Sequence, residues 1–254
     1  MQTDQNKFYD NGRSFADDAL DARLKCVISF LRRTGVLGRL SPSAHVLDIG
    51  CANGLILRSL PTTMHRTGVD IAVSLLQRVR QAGIETVVCD FDNNPLPLPD
   101  GQYDLVLAND VIEHVLHTDH VMNEINRVLK PDGHLVISIP NVNQPISFIM
   151  QFILDLTPMY AARYRCAHYR DFTNRLFGNV LHVHGFETIR QEGSYIFPFE
   201  NSALSHAVAR RIPRWGAQII YLAGKKRQIN IADDFADSMP ELLNWCGLGH
   251  HGNG

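Results

Sequence analysis

The sequence predicts an α/β fold, built as a doubly wound parallel sheet with helices on both faces. Short apolar runs with little alternation, such as VLDI (46–49) and YDLVLAND (103–110), are typical of strands that are buried on both faces. Segments of helical period separate these runs, as the crossover helices of a parallel sheet do. Acidic residues recur where the apolar runs end, which predicts a ligand site along one edge of the sheet.

The elements follow in order, with turn residues between them. The period of 3.6 residues predicts a first helix over 17–34, which Gly35 ends. The next predicted elements are a strand at 46–49, a helix at 54–60, a strand at 66–70, a helix at 73–82, strands at 85–90 and 103–110, a helix at 118–129 and a strand at 134–140.

The alternation stops after Pro140. Residues 141–170 are predicted to be an irregular insertion, and it contains the apolar stretch PISFIMQFILDLTPMY. We expect this stretch to pack as a lid and not to insert stably in a membrane, although transient contact with a lipid surface is the alternative. A helix at 172–184, a strand at 186–193, a loop to about 215 and a last strand at 217–226 are predicted to follow.

Three parts are therefore expected along the chain. Residues 1–40 are predicted to form an N-terminal helical cap, and residues 41–227 the main domain, with the lid insertion at 141–170. Residues 228–254 are polar and end in GLGHHGNG, which predicts a loosely held tail.

Composition and charge restrict the class of protein. The chain has 254 residues, of which 45% are hydrophobic, and a formal net charge of −2, so a nucleic-acid partner is not expected. Its five cysteines are scattered without a Cys-x-x-Cys pair, which suits a reducing compartment. The N-terminal residues lack an apolar core of the signal-peptide kind, so a cytoplasmic location is expected.

Four consecutive predicted strands end on acidic residues, namely Asp48, Asp70, Asp90 and Asp110. The carboxyl ends of parallel strands meet at one edge of the sheet, where ligands of such folds bind. Helix caps and turn formers would explain any one of these residues easily, but they explain all four poorly. Because a buried carboxylate needs a cationic or hydrogen-bonding partner, this edge is predicted to bind a polar ligand.

The turn after the first strand distinguishes between cofactors. A nicotinamide-binding turn has three glycines in the pattern Gly-x-Gly-x-x-Gly, whereas this chain has Gly50, Ala52 and Leu55 at those positions. The lysine of a phosphate-binding loop is also absent from this turn. Asp48 at the strand end instead suits a ligand with a cationic amine.

Several segments together resemble the class I S-adenosylmethionine-dependent methyltransferases. VLDIGCANG (46–54) is similar to the first motif of that superfamily and GVDIA (68–72) to the second. The segments 87–115 and 128–141 resemble the later motifs, and the likeness returns in HYRDFTNRLFGNVLHVHGFE (168–187). The resemblance is to the small-molecule branch that includes ubiquinone-pathway and methionine-biosynthesis-W-like proteins. It implies a Rossmann-like sheet of seven strands, mostly parallel with an antiparallel last strand.

The resemblance also implies a cofactor and the residues that bind it. S-adenosylmethionine would be the cofactor and S-adenosylhomocysteine the product. Asp48 would orient the amino end of the methionine moiety, Asp70 would accept both ribose hydroxyls, and Asp90 the adenine amine. Alanine at position 52 is expected to be tolerated if its φ is negative. The full predicted cofactor set is Asp48, Gly50, Cys51, Ala52, Gly54, Asp70, Ile71, Asp90, Phe91, Asp92 and Asn109.

The acceptor is expected to be a small metabolite, a sugar or a lipid-linked intermediate, with O-methylation favoured. A hydroxyl acceptor benefits from a general base, and His114 and His168 are the predicted candidates. Hydrogen bonding to a turn is the alternative for His114, and a hinge or lid contact for His168. His114, His117 and His120 lack a suitable further ligand, so no metal is predicted. A cofactor-binding scaffold without turnover is the alternative function.

Overall fold

The computed structural model describes residues 22–153 and 169–226, and these form one mixed sheet with helices on both faces. The helices are α1 (Ala22–Thr34), α2 (Val36–Arg39), α3 (Leu55–Arg58), α4 (Val73–Gln81), α5 (Thr118–Val128), α6 (Pro145–Phe152), α7 (Asn174–Val183) and α8 (Ala203–Arg211). The strands are β1 (His45–Ile49), β2 (His65–Asp70), β3 (Glu85–Val88), β4 (Tyr103–Asn109), β5 (Leu129–Pro140), β6 (Phe186–Gly193) and β7 (Gln218–Lys225).

The seven strands lie in the order β3-β2-β1-β4-β5-β7-β6. Strands β1 to β5 are parallel, whereas β7 runs antiparallel to both β5 and β6. The predicted fold, mostly parallel with an antiparallel last strand, is therefore confirmed. The strand order reverses between β1 and β4, and ligands of such sheets bind in the crevice outside the strand ends at this point.

The apolar runs of the strands supply both faces of the sheet. In β1, Leu47 and Ile49 belong to one core cluster and Val46 to the other, and all three are fully buried. Helices α5 and α7 cover the first face, and α1, α3 and α4 cover the second. Because both faces are covered, both sets of alternating side chains must be apolar, which explains the continuous apolar runs in the sequence.

The N-terminal helix is part of this core. Val27, Phe30 and Leu31 of α1 are at most 1% exposed and pack in the second face of the sheet. The division into a cap of residues 1–40 and a main domain stays a prediction, and the predicted tail at 228–254 lies outside the described residues. In the described part of the chain, no helix has the length and apolar character needed to cross a bilayer.

After β5, the structure differs from the sequence prediction in two segments. The predicted loop before residue 215 contains α8, which Ser202 caps by accepting a hydrogen bond from the Ser205 amide, and a 3-10 turn at Pro213–Trp215. Helix α8 buries little more than Ser205 and Ala209, so it lacks the apolar stripe on which sequence prediction depends. The insertion begins with α6, and the rest of the predicted lid, at 154–168, lies outside the described residues.

Candidate active site

The turn after β1 has an unusual backbone, with positive φ at Gly50 (68°), Ala52 (47°) and Gly54 (73°). The amides of Gly50 and Cys51 both donate to the Val69 carbonyl oxygen, at 2.8 and 3.1 Å, and so tie the turn to β2. A Cβ at position 50 would lie 2.5 Å from a methyl carbon of Val111, which a folded protein does not accommodate without movement. Glycine is therefore required there both by conformation and by space.

Ala52 does not meet the condition of a negative φ. Its φ of 47° lies in the left-handed region, where a non-glycine residue carries strain of about 1 kcal/mol. The strained conformation points the Ala52 amide at Asp70, whose Oδ2 accepts its hydrogen bond at 2.8 Å. The turn and the end of β2 are thus joined through one carboxylate.

Both carboxylate oxygens of Asp70 are fixed in position as hydrogen-bond acceptors. Its side chain is 8% exposed, and its Oδ1 accepts a hydrogen bond from the Ala72 amide at 2.9 Å. A carboxylate oxygen has two lone pairs, so each oxygen retains capacity after accepting one amide hydrogen. This carboxylate can therefore meet two adjacent hydroxyl donors without losing its own supports, as the ribose of the predicted cofactor requires.

Asp48 lies beside Asp70 and is almost fully buried, with 3% exposure. Burial raises its pKa well above the usual value, and the negative charge of Asp70 raises it further. Burial and the charges of Asp48 and Asp70 likewise raise the pKa of the Cys51 thiol. Two neighbouring carboxyl groups in a dry turn favour a cationic group, and the amino end of S-adenosylmethionine fits this requirement.

This burial predicts how stability depends on pH. Because the pKa of Asp48 is higher in the folded than in the unfolded protein, the protein is more stable at low pH, where this carboxyl is protonated. This contribution to the stability is lost as the pH rises through the folded-state pKa. We therefore expect Asp48→Asn to raise the Tm of the ligand-free protein near pH 7.5 by roughly 2–4 °C, the shift that about 1 kcal/mol produces. The gain should shrink toward pH 4.5, and thermal unfolding across this range measures it. A loss of stability at pH 7.5 would contradict the assignment of a destabilising carboxylate.

The residues after β3 divide into two groups. Asp90 and Phe91 are half-buried, and Asp90 accepts a hydrogen bond from Asn93 Nδ2 at 3.0 Å. Asp92 is buried, and its two carboxylate oxygens accept hydrogen bonds from the Leu116 and His117 amides at 2.9 and 2.8 Å. Asp92 thus fastens the segment before α5, a role that the sequence analysis did not foresee.

Beyond β4, the fourth carboxylate has hydrogen-bonding and ionic partners of its own. Asp110 has a positive φ of 52°, and its Oδ1 accepts hydrogen bonds from Ser138 Oγ at 3.1 Å and Gln218 Nε2 at 2.8 Å. Its Oδ2 lies 3.1 Å from Arg23 Nη1 of α1. Asp110 is thus satisfied by contacts from β5, β7 and α1.

Some of the buried side-chain atoms that have no hydrogen-bond partner in the described part of the chain belong to Asn109 at this strand end and to residues that follow it in the sequence. They include both amide atoms of Asn109, both carboxylate oxygens of Glu113, and Oε1 of Gln144. Burial raises the pKa of Glu113 well above the usual value, and the charge of Asp110 raises it further. Glu113 was not among the predicted site residues, since nothing in NDVIEHV distinguishes a buried glutamate from an exposed one.

Of the two histidines predicted as general bases, the structure describes His114 and not His168. His114 lies in a 3-10 turn at Ile112–His114, is half-buried, and has its Nε2 3.9 Å from Glu113 Oε1. The chain returns to this turn after the insertion, as the Tyr169 amide donates to the Glu113 carbonyl oxygen at 2.8 Å. His168 lies outside the described residues.

The side chains of the other two histidines, His117 and His120, contact backbone carbonyl oxygens of the loop after β3. His117 Nδ1 lies 3.1 Å from the Asp92 carbonyl oxygen, and His120 Nε2 lies 3.2 Å from that of Asn94. Within residues 22–153 and 169–226, no three His, Cys, Asp or Glu side chains are grouped so that they could hold a metal ion.

Comparisons with known proteins agree with this geometry. Residues 47–137 match the model of a methyltransferase domain family. The chain is 31% identical over 125 residues to a ubiquinone biosynthesis O-methyltransferase of Marinobacter nauticus, covering 44% of this chain and 52% of the relative. It is 34% identical over 99 residues to a probable tRNA methyltransferase 9B of Mus musculus, covering 38% and 22%. The chain thus spans about half or less of these relatives.

Among solved structures, a 1,6-didemethyltoxoflavin N1-methyltransferase of Burkholderia thailandensis has a TM-score of 0.57 and 17% identity, over 89% of this chain and 87% of that one. That protein was solved with S-adenosylhomocysteine bound. The match of residues 47–137 to a methyltransferase domain family confirms the resemblance to the class I S-adenosylmethionine-dependent methyltransferase superfamily. The family match supports S-adenosylmethionine as the cofactor.

Proposed function

We propose that the protein is an active S-adenosylmethionine-dependent methyltransferase that methylates a hydroxyl group of a small molecule. The observation that carries this proposal is the pair formed by Asp48 and Asp70 at the glycine turn. One carboxyl is buried beside a second negative charge, and the other is fixed by two backbone amides. A cationic amine and a pair of hydroxyls satisfy these two groups, and S-adenosylmethionine carries both.

The residues of the turn would hold the methionine and ribose parts of the cofactor. Gly50 and Gly54 present bare backbone, Asp48 would accept the amino group, and Asp70 the ribose hydroxyls. Asp90, with Phe91 beside it, is proposed to accept the adenine amine. When bound, S-adenosylmethionine supplies a methyl group on a positively charged sulfur, which is already a good leaving group. The protein then needs chiefly to hold the acceptor in line.

The acceptor side is proposed to lie at the end of β4. Glu113 offers buried carboxyl oxygens that a bound hydroxyl compound could satisfy, and Asn109 would line the pocket under the methionine part of the cofactor. We assign His114 as the general base that takes the hydroxyl proton, because it lies in the turn that follows this strand end. The name of the Marinobacter relative, an O-methyltransferase of ubiquinone biosynthesis, supports oxygen as the methylated atom.

Thermal unfolding with added ligands tests the cofactor assignment. S-adenosylhomocysteine at 100 times its Kd should stabilise the native protein by about 2.7 kcal/mol, because it binds the folded state alone. NAD at the same concentration should leave the Tm unchanged. A rise in Tm with NAD and none with S-adenosylhomocysteine would overturn the cofactor assignment.

Transfer of a radiolabelled methyl group to a panel of hydroxylated metabolites, sugars and lipid-linked intermediates tests the activity. Incorporation into an acceptor hydroxyl is the expected result. Cofactor binding without transfer to any acceptor in the panel would instead support a cofactor-binding scaffold. Transfer to nitrogen would retain the enzyme but reject O-methylation.

A further inference from the structure

A second concave surface lies between α1, β6 and α8, apart from the glycine turn. Its cavity volume is about 450 Å³, within the range of small-molecule sites. Four arginines line it, contributed by all three elements, together with a single acidic residue, Glu192. The four arginines are Arg33, Arg190, Arg210 and Arg211. We call this surface the arginine pocket.

Glu192 fixes two of the four guanidinium groups. Its side chain is 4% exposed, and its Oε2 accepts hydrogen bonds from Nε and Nη2 of Arg33 at 3.1 and 2.6 Å. Its Oε1 accepts from Nε of Arg190 at 2.9 Å and lies 2.7 Å from Arg190 Nη2. Each guanidinium has five N–H donors, so both arginines keep donors after binding Glu192. The pair is therefore oriented in advance for another acceptor.

The other two guanidinium groups add charge that this carboxylate does not balance. Arg210 and Arg211 form the last turn of α8, and both are exposed. In the described residues, neither forms an ion pair or a side-chain hydrogen bond. The C-terminus of a helix favours cations, which accounts for arginine at these two positions. It does not account for their meeting Arg33 and Arg190 in one concave surface, where four like charges face one carboxylate.

We propose that the arginine pocket binds the phosphate or diphosphate group of a ligand. Guanidinium groups form bidentate hydrogen bonds with phosphate oxygens, and several of them on one concave surface balance its charge. Arg23 and Arg33 are ten residues apart on α1, so about 15 Å of helix separates the pocket from the contact of Arg23 with Asp110. None of the residues that line the pocket lies in the glycine turn, so the pocket is a distinct site and its occupancy does not depend on the proposed methyl transfer.

Calorimetric titration of the full chain with pyrophosphate at constant ionic strength tests this proposal. The double variant Arg210→Gln/Arg211→Gln should weaken binding at least about tenfold, since two charge-assisted contacts are lost. The matched control, Lys25→Gln/Arg78→Gln, removes two exposed positive charges outside the pocket and should bind as the wild type does. Equal weakening in both double variants, or no binding of any phosphate ligand, would overturn the proposal.

Sedimentation with vesicles of phosphatidylcholine, with and without phosphatidylglycerol, identifies the source of the phosphate. Binding to free pyrophosphate alone indicates a phosphate-bearing metabolite. Binding to the anionic vesicles alone, lost in Arg210→Gln/Arg211→Gln and kept in the control, indicates a lipid headgroup. The Tm increase with S-adenosylhomocysteine should be the same in both double variants, which separates failure of this site from failure of the cofactor site.

Discussion

Replacing Asp70 by alanine is expected to weaken S-adenosylmethionine binding by roughly 30- to 1,000-fold, or about 2–4 kcal/mol, because two hydrogen bonds to a carboxylate are lost. The carboxylate also accepts the amides of Ala52 and Ala72, so its removal frees the glycine turn as well. Calorimetric titration of wild type and variant with the cofactor measures the difference.

Two further variants make this test specific. Asp70→Asn keeps the shape of the side chain and one acceptor oxygen, so its cofactor affinity should fall between that of the wild type and that of Asp70→Ala. Asp132→Ala removes an exposed carboxylate near the start of β5 and should bind as the wild type does. Affinity of Asp70→Ala equal to that of Asp132→Ala would remove Asp70 from the site.

Replacing His114 by glutamine is expected to lower the methylation rate of a hydroxyl acceptor by roughly 10²- to 10⁴-fold, the usual contribution of a general base. Cofactor affinity should stay near the wild-type value, because the proposed contacts of His114 are with the acceptor. The wild-type rate should rise with pH over the range in which a histidine loses its proton, and the variant should lack this rise. Initial rates at saturating cofactor measure both effects.

Glu113 offers a separate check on this assignment. Its Oε1 lies 3.9 Å from His114 Nε2, and its carboxyl is 1% exposed. If the proton is taken by Glu113, Glu113→Gln will abolish the pH-dependent limb and His114→Gln will keep it. His120→Gln, which alters a surface hydrogen bond to Asn94, is the control and should retain the wild-type rate. A fully active His114→Gln enzyme with an unchanged pH profile would reject His114 as the base.

The part of the site that follows from strand order was predictable from sequence. Asp48 ends an apolar run on β1 and Asp70 ends one on β2, and these strands pair in parallel with Asp48 opposite Gly68. Apolar runs separated by helices require such parallel pairing, so the two carboxylates had to meet at one edge. The glycine turn was equally visible in the sequence, because Gly50 and Gly54 lie close together after the strand. Glycine is the residue that most readily adopts the positive φ angles that the structure has at both positions.

Features that depend on distant partners could not be predicted in this way. Asp92 follows the same strand-end pattern as Asp90, yet its carboxylate binds the amides of Leu116 and His117 some 25 residues further along the chain. Asp110 turns toward Arg23, which lies on a helix 87 residues before it in the sequence. Such contacts are set by tertiary packing, and neither hydrophobic period nor spacing records them.

Helix α8 illustrates the same limit for secondary structure. Its two arginines and its few buried residues give no strong apolar period, and its stability comes from the Ser202 cap and from packing beside β6. The arginine pocket could not be inferred before this helix was placed, since Arg33 and Arg210 are far apart in the sequence.

A crystal structure of the protein grown with S-adenosylhomocysteine tests the central claim most directly. The predicted result is ligand density outside the ends of β1 and β2, with both ribose hydroxyls within hydrogen-bonding distance of the Asp70 carboxylate and the amino group beside Asp48. Ligand density elsewhere, or a ribose that does not contact Asp70, would contradict the account.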